Sequence, residues 1–350
     1  MSTPDKSPTK SIQNSSKDEI FLDQQLRPDT WDEYIGQESI KGNLSLLLQA
    51  AKERNHPPEH ILFYGPPGLG KTTLAHLISK HIGAQMKNTS GPAIEKVGDL
   101  ASILTNLNPG DILFIDEIHR LNKAIEEVLY PAMESGVLDI IIGKGPSART
   151  LQLELPPFTL IAATTKVAMV SSPLRSRFSG GVFRLEFYKD NEIEKIIERS
   201  AKILGLKSEE NKKDFLEAIS EISKRSRQTP RTANYLLKRC RDFCQINKIE
   251  MGVDSVNKTL AMLDIDKLGL TKTDRSMMET IINKFNGGPV GLHTLAVSLA
   301  EEPSTLEEFN EPYLIQLGFI ERTPRGRTVT VKGYEHFEIT PPDHIQGKLI

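Results

Sequence analysis

The tightest constraint on this chain is the stretch at residues 61–75, ILFYGPPGLGKTTLA. Residues 65–72 within it spell G-x-x-x-x-G-K-T. Ile61, Leu62, Phe63 and Tyr64 read as a buried strand, and Leu74, Ala75, Leu77 and Ile78 carry the period of a following helix. Gly65, Gly68 and Gly70 permit a tight loop whose backbone N–H groups turn inward. Together with the positive end of the helix, those donors form a cradle for a polyphosphate. Lys71 can reach the β- and γ-phosphates, and the Thr72 hydroxyl can ligate Mg2+.

At 350 residues the chain exceeds one ordinary domain, so two or three are expected. Charged residues make up 26% and hydrophobic ones 38%, as in an ordinary globular protein. The absence of an 18-residue apolar run and of a signal-peptide core predicts a cytoplasmic protein with no membrane segment. Cys240 and Cys244 fit no metal spacing and read as reduced thiols on a helix. The net charge is −2, so a nucleic-acid site must come from local clustering rather than the bulk field.

Residues 1–18 have almost no apolar content and are expected to be disordered. Residues 38–54 read as an amphipathic helix, with Ile40, Leu44, Leu47, Leu48 and Ala51 on one face. Residues 111–119, DILFIDEIH, are a second buried strand that ends in two acids. Asp116 would hold Mg2+ through water, and Glu117 would orient or deprotonate the attacking water. Residues 122–133 predict a helix, and 138–155 a long hairpin turning at Lys144-Gly145-Pro146-Ser147. Its run Ile140-Ile141-Ile142 predicts either burial or an apolar surface for a partner.

Residues 158–165, FTLIAATT, are a third buried strand, and Thr164 or Thr165 could bond the attacking water. Arg175 and Arg177 follow it, and such an arginine could act on a neighbouring subunit's γ-phosphate. The pattern is helical from residue 191 to 263, with Arg231 in the first turn of one helix. Three further helices and a basic hairpin at 318–333 suggest a winged helix. Arg322, Arg325, Arg327 and Lys332 against Glu321 make that hairpin the most basic local surface, suited to phosphate backbone.

The order of these features resembles that of AAA+ ATPases: a P-loop NTPase core with a parallel sheet and flanking helices, then an all-α lid. The blocks LRPDTWDEYIGQ, GPPGLGKTTLAH, LFIDEIHRLN, IIIGKGPSART, SSPLRSRF, TPRTAN and EPYLIQLGFIERTPRGR resemble the RuvB family in particular, over about residues 26–340. The resemblance implies an ATP-dependent DNA translocase of Holliday-junction branch migration, in recombination and repair. It implies a six-subunit ring with RuvA, RuvC and double-stranded DNA as partners, and ATP and Mg2+ as ligands. The domains it implies are an ATPase domain at 19–187, a lid at 188–264, a C-terminal winged helix at 265–340 and a tail at 341–350.

The resemblance also assigns residues. Leu26, Arg27, Gly68, Gly70, Lys71, Thr72, Thr73, Glu134, Ser135 and Gly136 would meet the nucleotide, with Tyr188 and Arg231 from the lid. Thr72 and Asp116 would meet the metal, Glu117 would be the acid of the Walker B pair, Thr165 the first sensor and Arg177 the finger. Arg322, Arg325 and Arg327 would touch DNA, and the 138–155 hairpin would dock on RuvA. Two departures from the family pattern stand out. The segment 178–182 is one residue longer than the usual Phe-Gly-Ile-Val, and Pro303-Ser304 replaces a pair that is commonly Arg-Asp. The rival reading is a non-translocating AAA+ scaffold or clamp-loader-like subunit; intact Lys71, Asp116 and Glu117 speak against a dead ATPase.

Overall fold

The computed structural model describes residues 24–142, 149–206 and 211–342. The expected disordered tail at 1–18, most of the tail at 341–350 and the hairpin turn at 144–147 lie outside the described residues. The chain divides into two units: residues 24–65 with 69–186, and residues 66–68 with 187–342.

The first unit holds strands β1 (Ile61–Tyr64), β2 (Met86–Ser90), β3 (Ile112–Asp116), β4 (Val137–Ile142), β5 (Arg149–Glu154), β6 (Thr159–Thr164) and β7 (Gly181–Arg184). Five of them form one sheet in the order β2-β3-β6-β1-β7, and its four pairings are parallel. Parallel strands covered on both faces read as unbroken apolar runs. That is why β1, β3 and β6 are visible in the sequence. β2 (MKNTS) and β7 (GVFR) are the edge strands, half-exposed and without such a run, so the pattern does not announce them. The helix at Val97–Thr105 does carry a helical period, at Leu100, Ala101 and Leu104.

Strand β6 follows β3 in the chain yet lies between β3 and β1. Its last threonines therefore fall between the loop after β1 and the acids after β3. Helices α1 (Glu38–Glu53), α2 (Lys71–Ile82), α3 (Val97–Thr105), α4 (Lys123–Ser135) and the single turn α5 (Ser172–Arg175) belong to this unit. One core cluster joins Leu100 and Leu104 of α3, Leu113 and Ile115 of β3, Ile125 and Leu129 of α4, and Leu160 and Ala162 of β6.

β4 and β5 leave that sheet as a separate antiparallel hairpin, with Leu138 opposite Leu153 and Ile140 opposite Leu151. Leu138 is fully buried, and Ile140 and Leu153 pack on the core, whereas Leu151 is exposed. The hairpin's base, with Ile140 of the isoleucine run, is therefore core, and Leu151 opposite it is exposed; the side chains of Ile141 and Ile142 lie outside the described residues.

The second unit contains α6 (Asp190–Ile203), α7 (Lys212–Lys224), α8 (Pro230–Asn247) and α9 (Val253–Met262), then α10 (Lys272–Phe285) and α11 (Leu292–Leu299). Ile193, Ile197, Ile219, Ile222, Leu236, Leu237 and Leu260 supply the buried faces of the first four helices. Cys240 and Cys244 lie in that core as free thiols, and burial pushes Cys240 up to about 12, so both are packing residues. The helix expected at 305–317 is interrupted: a π turn, Leu306–Asn310, precedes α12 (Glu311–Gln316). Strands β8 (Ile320–Thr323) and β9 (Gly326–Val329) pair antiparallel around Pro324 and Arg325, and α13 (Val331–His336) follows. Val290 adds a bridge to Arg327, completing a winged helix around Met277, Met278, Ile281, Leu295, Leu314 and Phe319.

The lengthened segment 178–182 is anchored. The Gly180 N–H donates to the His60 carbonyl at 2.9 Å. A Cβ on Gly180 would lie 2.7 Å from the Glu59 carbonyl oxygen and 2.9 Å from that of His60. Both are backbone atoms that cannot swing aside. Gly180→Ala should therefore cost roughly 1–3 kcal/mol as an overpacked contact, read as a lower urea midpoint with an unchanged slope.

Candidate functional site

The loop between β1 and α2 takes the shape its glycines permit. Gly65, Gly68 and Gly70 have φ of 141°, 83° and 97°, a region that side chains resist. Gly70 is the N-cap of α2, and no side chain caps the helix's first N–H groups. Those donors are what a phosphate would take. Lys71 is only 7% exposed, and its Nζ donates to the Gly65 carbonyl at 2.8 Å. An ammonium buried inside its own loop is poised to exchange a neutral acceptor for an anionic one. Thr72 and Thr73 stand half-buried in the first turn of α2.

Asp116 ends β3, and its Oδ1 accepts the Glu117 N–H at 3.0 Å. Glu117 has φ 49° and ψ 47°, a left-handed conformation that a non-glycine residue holds only under tertiary constraint. Three groups converge beside it. Thr165 Oγ1 donates to Glu117 Oε2 at 3.2 Å. His119 Nδ1 lies 3.1 Å from the same oxygen and 2.9 Å from Thr164 Oγ1. Thr164 is fully buried and accepts the Lys166 N–H at 3.0 Å. Of the two threonines offered by the sequence, Thr165 is thus the one on the acid, and Thr164 holds His119. The sequence reading missed His119; its position two residues beyond Glu117 in DEIH was the available signal.

Arg177 is held elsewhere in the same unit. Its guanidinium pairs with Glu134 at 3.0 Å, donates to the Pro173 carbonyl at 2.7 Å and lies 4.4 Å over the Tyr130 ring. The site is built from buried Glu126, which accepts hydrogen bonds from Tyr130 and Ser171, while Ser171 caps α5. The structure thus pairs Arg177, just past α5, with Glu134 of α4, whereas Thr165 pairs with Glu117. Ser135 closes that helix, and Gly136, its C-cap, accepts the Leu155 N–H at the hairpin base.

Leu26 is buried, and its segment runs along α2: Asp29 pairs with Lys80, and Trp31 meets His81 edge-on at 6.2 Å. Burial lowers the His76 pKa on that helix, and the charges of Arg27 and Lys80 lower it further, which places Arg27 beside it. In the second unit Tyr188 is buried and its N–H donates to the Gln228 carbonyl at 3.1 Å. Arg231 is exposed in the first turn of α8, and its N–H donates to the carbonyl of Gly68, a residue of that same unit, at 3.4 Å.

The wing is less basic than its linear charge count. Glu311, fully buried on α12, accepts Arg327 through both carboxylate oxygens, the Nη2 bond being 3.1 Å, and also accepts Arg322. Arg322 further pairs with Glu307 at 3.3 Å and remains half-exposed. Lys332 donates to the Leu317 carbonyl at 2.8 Å. Arg325, at the exposed tip, has no partner among the described residues. Burial raises the Glu311 pKa, but the hydrogen bonds from Arg327 and Arg322 outweigh it and hold the carboxyl below its usual range.

The parallel sheet, the glycine loop with its lysine, the acid pair and the threonine-ended middle strand define a AAA+ P-loop ATPase followed by a helical lid and a winged helix. Family models match in the same order: "Holliday junction DNA helicase RuvB P-loop domain" over residues 26–185, "RuvB AAA lid domain" over 188–266 and "RuvB C-terminal winged helix domain" over 267–338. The chain belongs to the RuvB family. A Holliday junction branch migration complex subunit RuvB from Dehalococcoides mccartyi is 54% identical over 323 residues, covering 92% of this chain and 90% of that protein. The one from Fusobacterium nucleatum is 55% identical over 322 residues, covering 91% and 95%. The solved Thermotoga maritima RuvB Holliday junction branch migration motor aligns with a TM-score of 0.81 at 48% identity, covering 91% of this chain and 100% of that one. No helix among the described residues is long and apolar enough to cross a membrane.

Two outcomes follow from this geometry. An asparagine amide can replace His119 Nδ1 as a donor to Glu117, whereas the longer glutamine side chain cannot occupy the same place. His119→Gln should lower kcat for ATP hydrolysis roughly tenfold with KM little changed, and His119→Asn should keep most of it. For Glu311, a folded-state pKa below the unfolded value means its stabilisation is present above the ordinary carboxylate range. It is lost as pH falls through the lower folded value. Urea midpoints measured from about pH 5 downward should drop for the natural chain, and Glu311→Gln should flatten that acid dependence while lowering stability at neutral pH.

Proposed function

We propose that this chain is the ATP-driven motor subunit of Holliday-junction branch migration. The observation that carries the reading is the convergence of Lys71, Glu117 and Thr165 at the ends of adjacent parallel strands, with Arg177, just past α5, held instead by Glu134 of α4. The resemblance assigns the nucleotide as ATP. Gly68, Gly70, Lys71, Thr72 and Thr73 supply the loop, helix N-terminus and ammonium for its phosphates. Leu26, Arg27, Tyr188 and Arg231 are carried over from the family as further nucleotide contacts.

The donors available to a metal are the Thr72 hydroxyl and the Asp116 carboxylate. A small hard cation that keeps several waters and shares phosphate oxygens, Mg2+, fits such a sparse oxygen set. Bound there, it would neutralise charge on the phosphates. Glu117, steadied by Thr165 and His119, orients the attacking water for in-line displacement.

Arg177, Glu134, Ser135 and Gly136 are assigned to the nucleotide of the neighbouring subunit, in a ring of six. An arginine on the γ-phosphate contributes about 10³–10⁵ in kcat in related phosphoryl transfers, which makes hydrolysis depend on assembly. The wing, through Arg322, Arg325 and Arg327, contacts the phosphates of double-stranded DNA. The hairpin of β4 and β5 docks on RuvA, with the apolar face ending at Leu151 as the surface. RuvC joins the same complex by family analogy, and the work is cytoplasmic.

Branch migration of a synthetic four-way junction by the purified chain, with ATP and RuvA, tests the reading directly. Migration that requires both supports it, and ATP turnover without migration overturns it. The assembly has its own test. Arg177→Ala should reduce turnover at least 10³-fold. Mixing it with Glu117→Gln subunits, which carry intact arginines, should restore activity in mixed rings. Absence of any rescue would show that the arginine does not act across subunits.

A further inference from the structure

The second unit contains two fully buried carboxylates, Asp274 on α10 and Glu311 on α12. A buried carboxylate is tolerated only when its oxygens are all engaged. Asp274 Oδ2 accepts Arg227 Nη2 at 2.7 Å, the Thr271 N–H at 2.8 Å and the Thr271 hydroxyl at 2.6 Å. Its Oδ1 accepts Asn310 Nδ2 at 2.7 Å. Asn310 is itself buried and ends the π turn, and the next residue is Glu311, the anchor of Arg327 and Arg322 in the wing. Consecutive residues therefore face two ways, one toward the lid's Arg227 and one toward the wing.

At the lid end, Arg227 and Gln228 are successive non-glycine residues with φ of 56° and 54°. Two left-handed residues in a row are costly and persist only where the surroundings impose them. Their surroundings impose them. Arg227 binds Asp274 and lies 4.9 Å over the Tyr313 ring, the Gln228 side chain bonds Gln316, and the Gln228 carbonyl takes the Tyr188 N–H. Immediately after this strained pair, Thr229 caps α8 and Arg231 follows. A π turn at the other end is a common mark of a functional position.

We propose that Asn310 and Glu311 form a fixed joint that ties the strained Arg227–Gln228 turn of the lid to the DNA-facing wing, making Arg227, Asp274 and Asn310 positioning residues for force transmission. The proposal rests on the motor reading above. Any change in the attitude of the Arg231 end of α8 is then passed to Arg322 and Arg327 through bonded polar groups, not through a loose linker. Glu311 holds the two guanidiniums in a fixed fork, so their remaining N–H groups are presented to phosphate without further ordering.

The test compares Asn310→Leu, Arg227→Ala and Arg227→Lys in the full chain, with duplex-stimulated ATP turnover, duplex affinity and branch migration measured side by side. Asn310→Leu and Arg227→Ala should keep turnover within about twofold and duplex affinity within about threefold. Junction migrated per ATP hydrolysed should fall at least tenfold. Arg227→Lys should recover much of the coupling, since an ammonium can still reach Asp274. Proportional loss of turnover and migration, or unchanged migration, would overturn the joint. Hydrogen exchange keeps this independent of the motor reading: in Asn310→Leu, protection should fall together at residues 225–232 and 306–312. If exchange at either segment is unaltered, the joint is refuted even if the chain migrates junctions. If the natural chain fails to migrate junctions while both segments lose protection together, it is the motor reading that fails.

Discussion

Parallel strands that end at one edge of a sheet are the constraint on which the first unit depends. Because β6 is inserted between β1 and β3, a glycine loop, an acid pair and a threonine from three distant parts of the chain meet. Each lies just past the last ladder bond of its strand, where the backbone is free to turn and the helix N-terminus has no side-chain cap. Glu117 accepts a left-handed backbone there, and Gly91 gives it room: a Cβ on Gly91 would lie 2.4 Å from the Glu117 carbonyl oxygen. At the end of β3 the strain falls on Glu117, the residue whose carboxylate takes Thr165 and His119.

The second unit is organised by buried charge. A buried ion pair such as Asp274–Arg227 can be replaced as a whole by well-packed apolar side chains at little energetic loss, whereas removing one partner alone is costly. Here the bonds of Asp274 and Glu311 fix direction, which apolar contacts do not. Glu311 also changes the reading of the wing. Counted along the sequence, four cations face one acid; in space, a carboxylate eleven and sixteen residues upstream neutralises part of that charge and orders the arginines instead. Arg325, at the tip, is then the cation with the greatest freedom to follow a phosphate.

Much of the site was legible beforehand because it depends on local chemistry. The P-loop, the acids after β3 and the threonines after β6 each sit beside an apolar run that marks its strand. The edge strands β2 and β7 were not legible, since half-exposed edges need no such run. His119 was hidden because one histidine in a polar segment has many uses, and only the fold shows it between Glu117 and Thr164. The choice between Thr164 and Thr165 was undecidable from order alone, since neighbouring strand residues face opposite sides.

By itself, the sequence determined the kinds of groups present and their order: a glycine loop with a lysine, two adjacent acids after a buried strand, a pair of threonines, an arginine and a basic hairpin. Spacing within a few residues encodes these, because loop and helix-terminus chemistry is local. The tertiary structure alone decided which groups meet. It placed Thr165 on Glu117, Arg177 on Glu134, and Asn310 and Glu311 back to back between lid and wing. The pairings of Arg322 and Arg327 with Glu311 and of Thr165 with Glu117 span from 11 to 48 residues of chain, and no local rule fixes them. They follow from strand order and from the need to satisfy every buried charge.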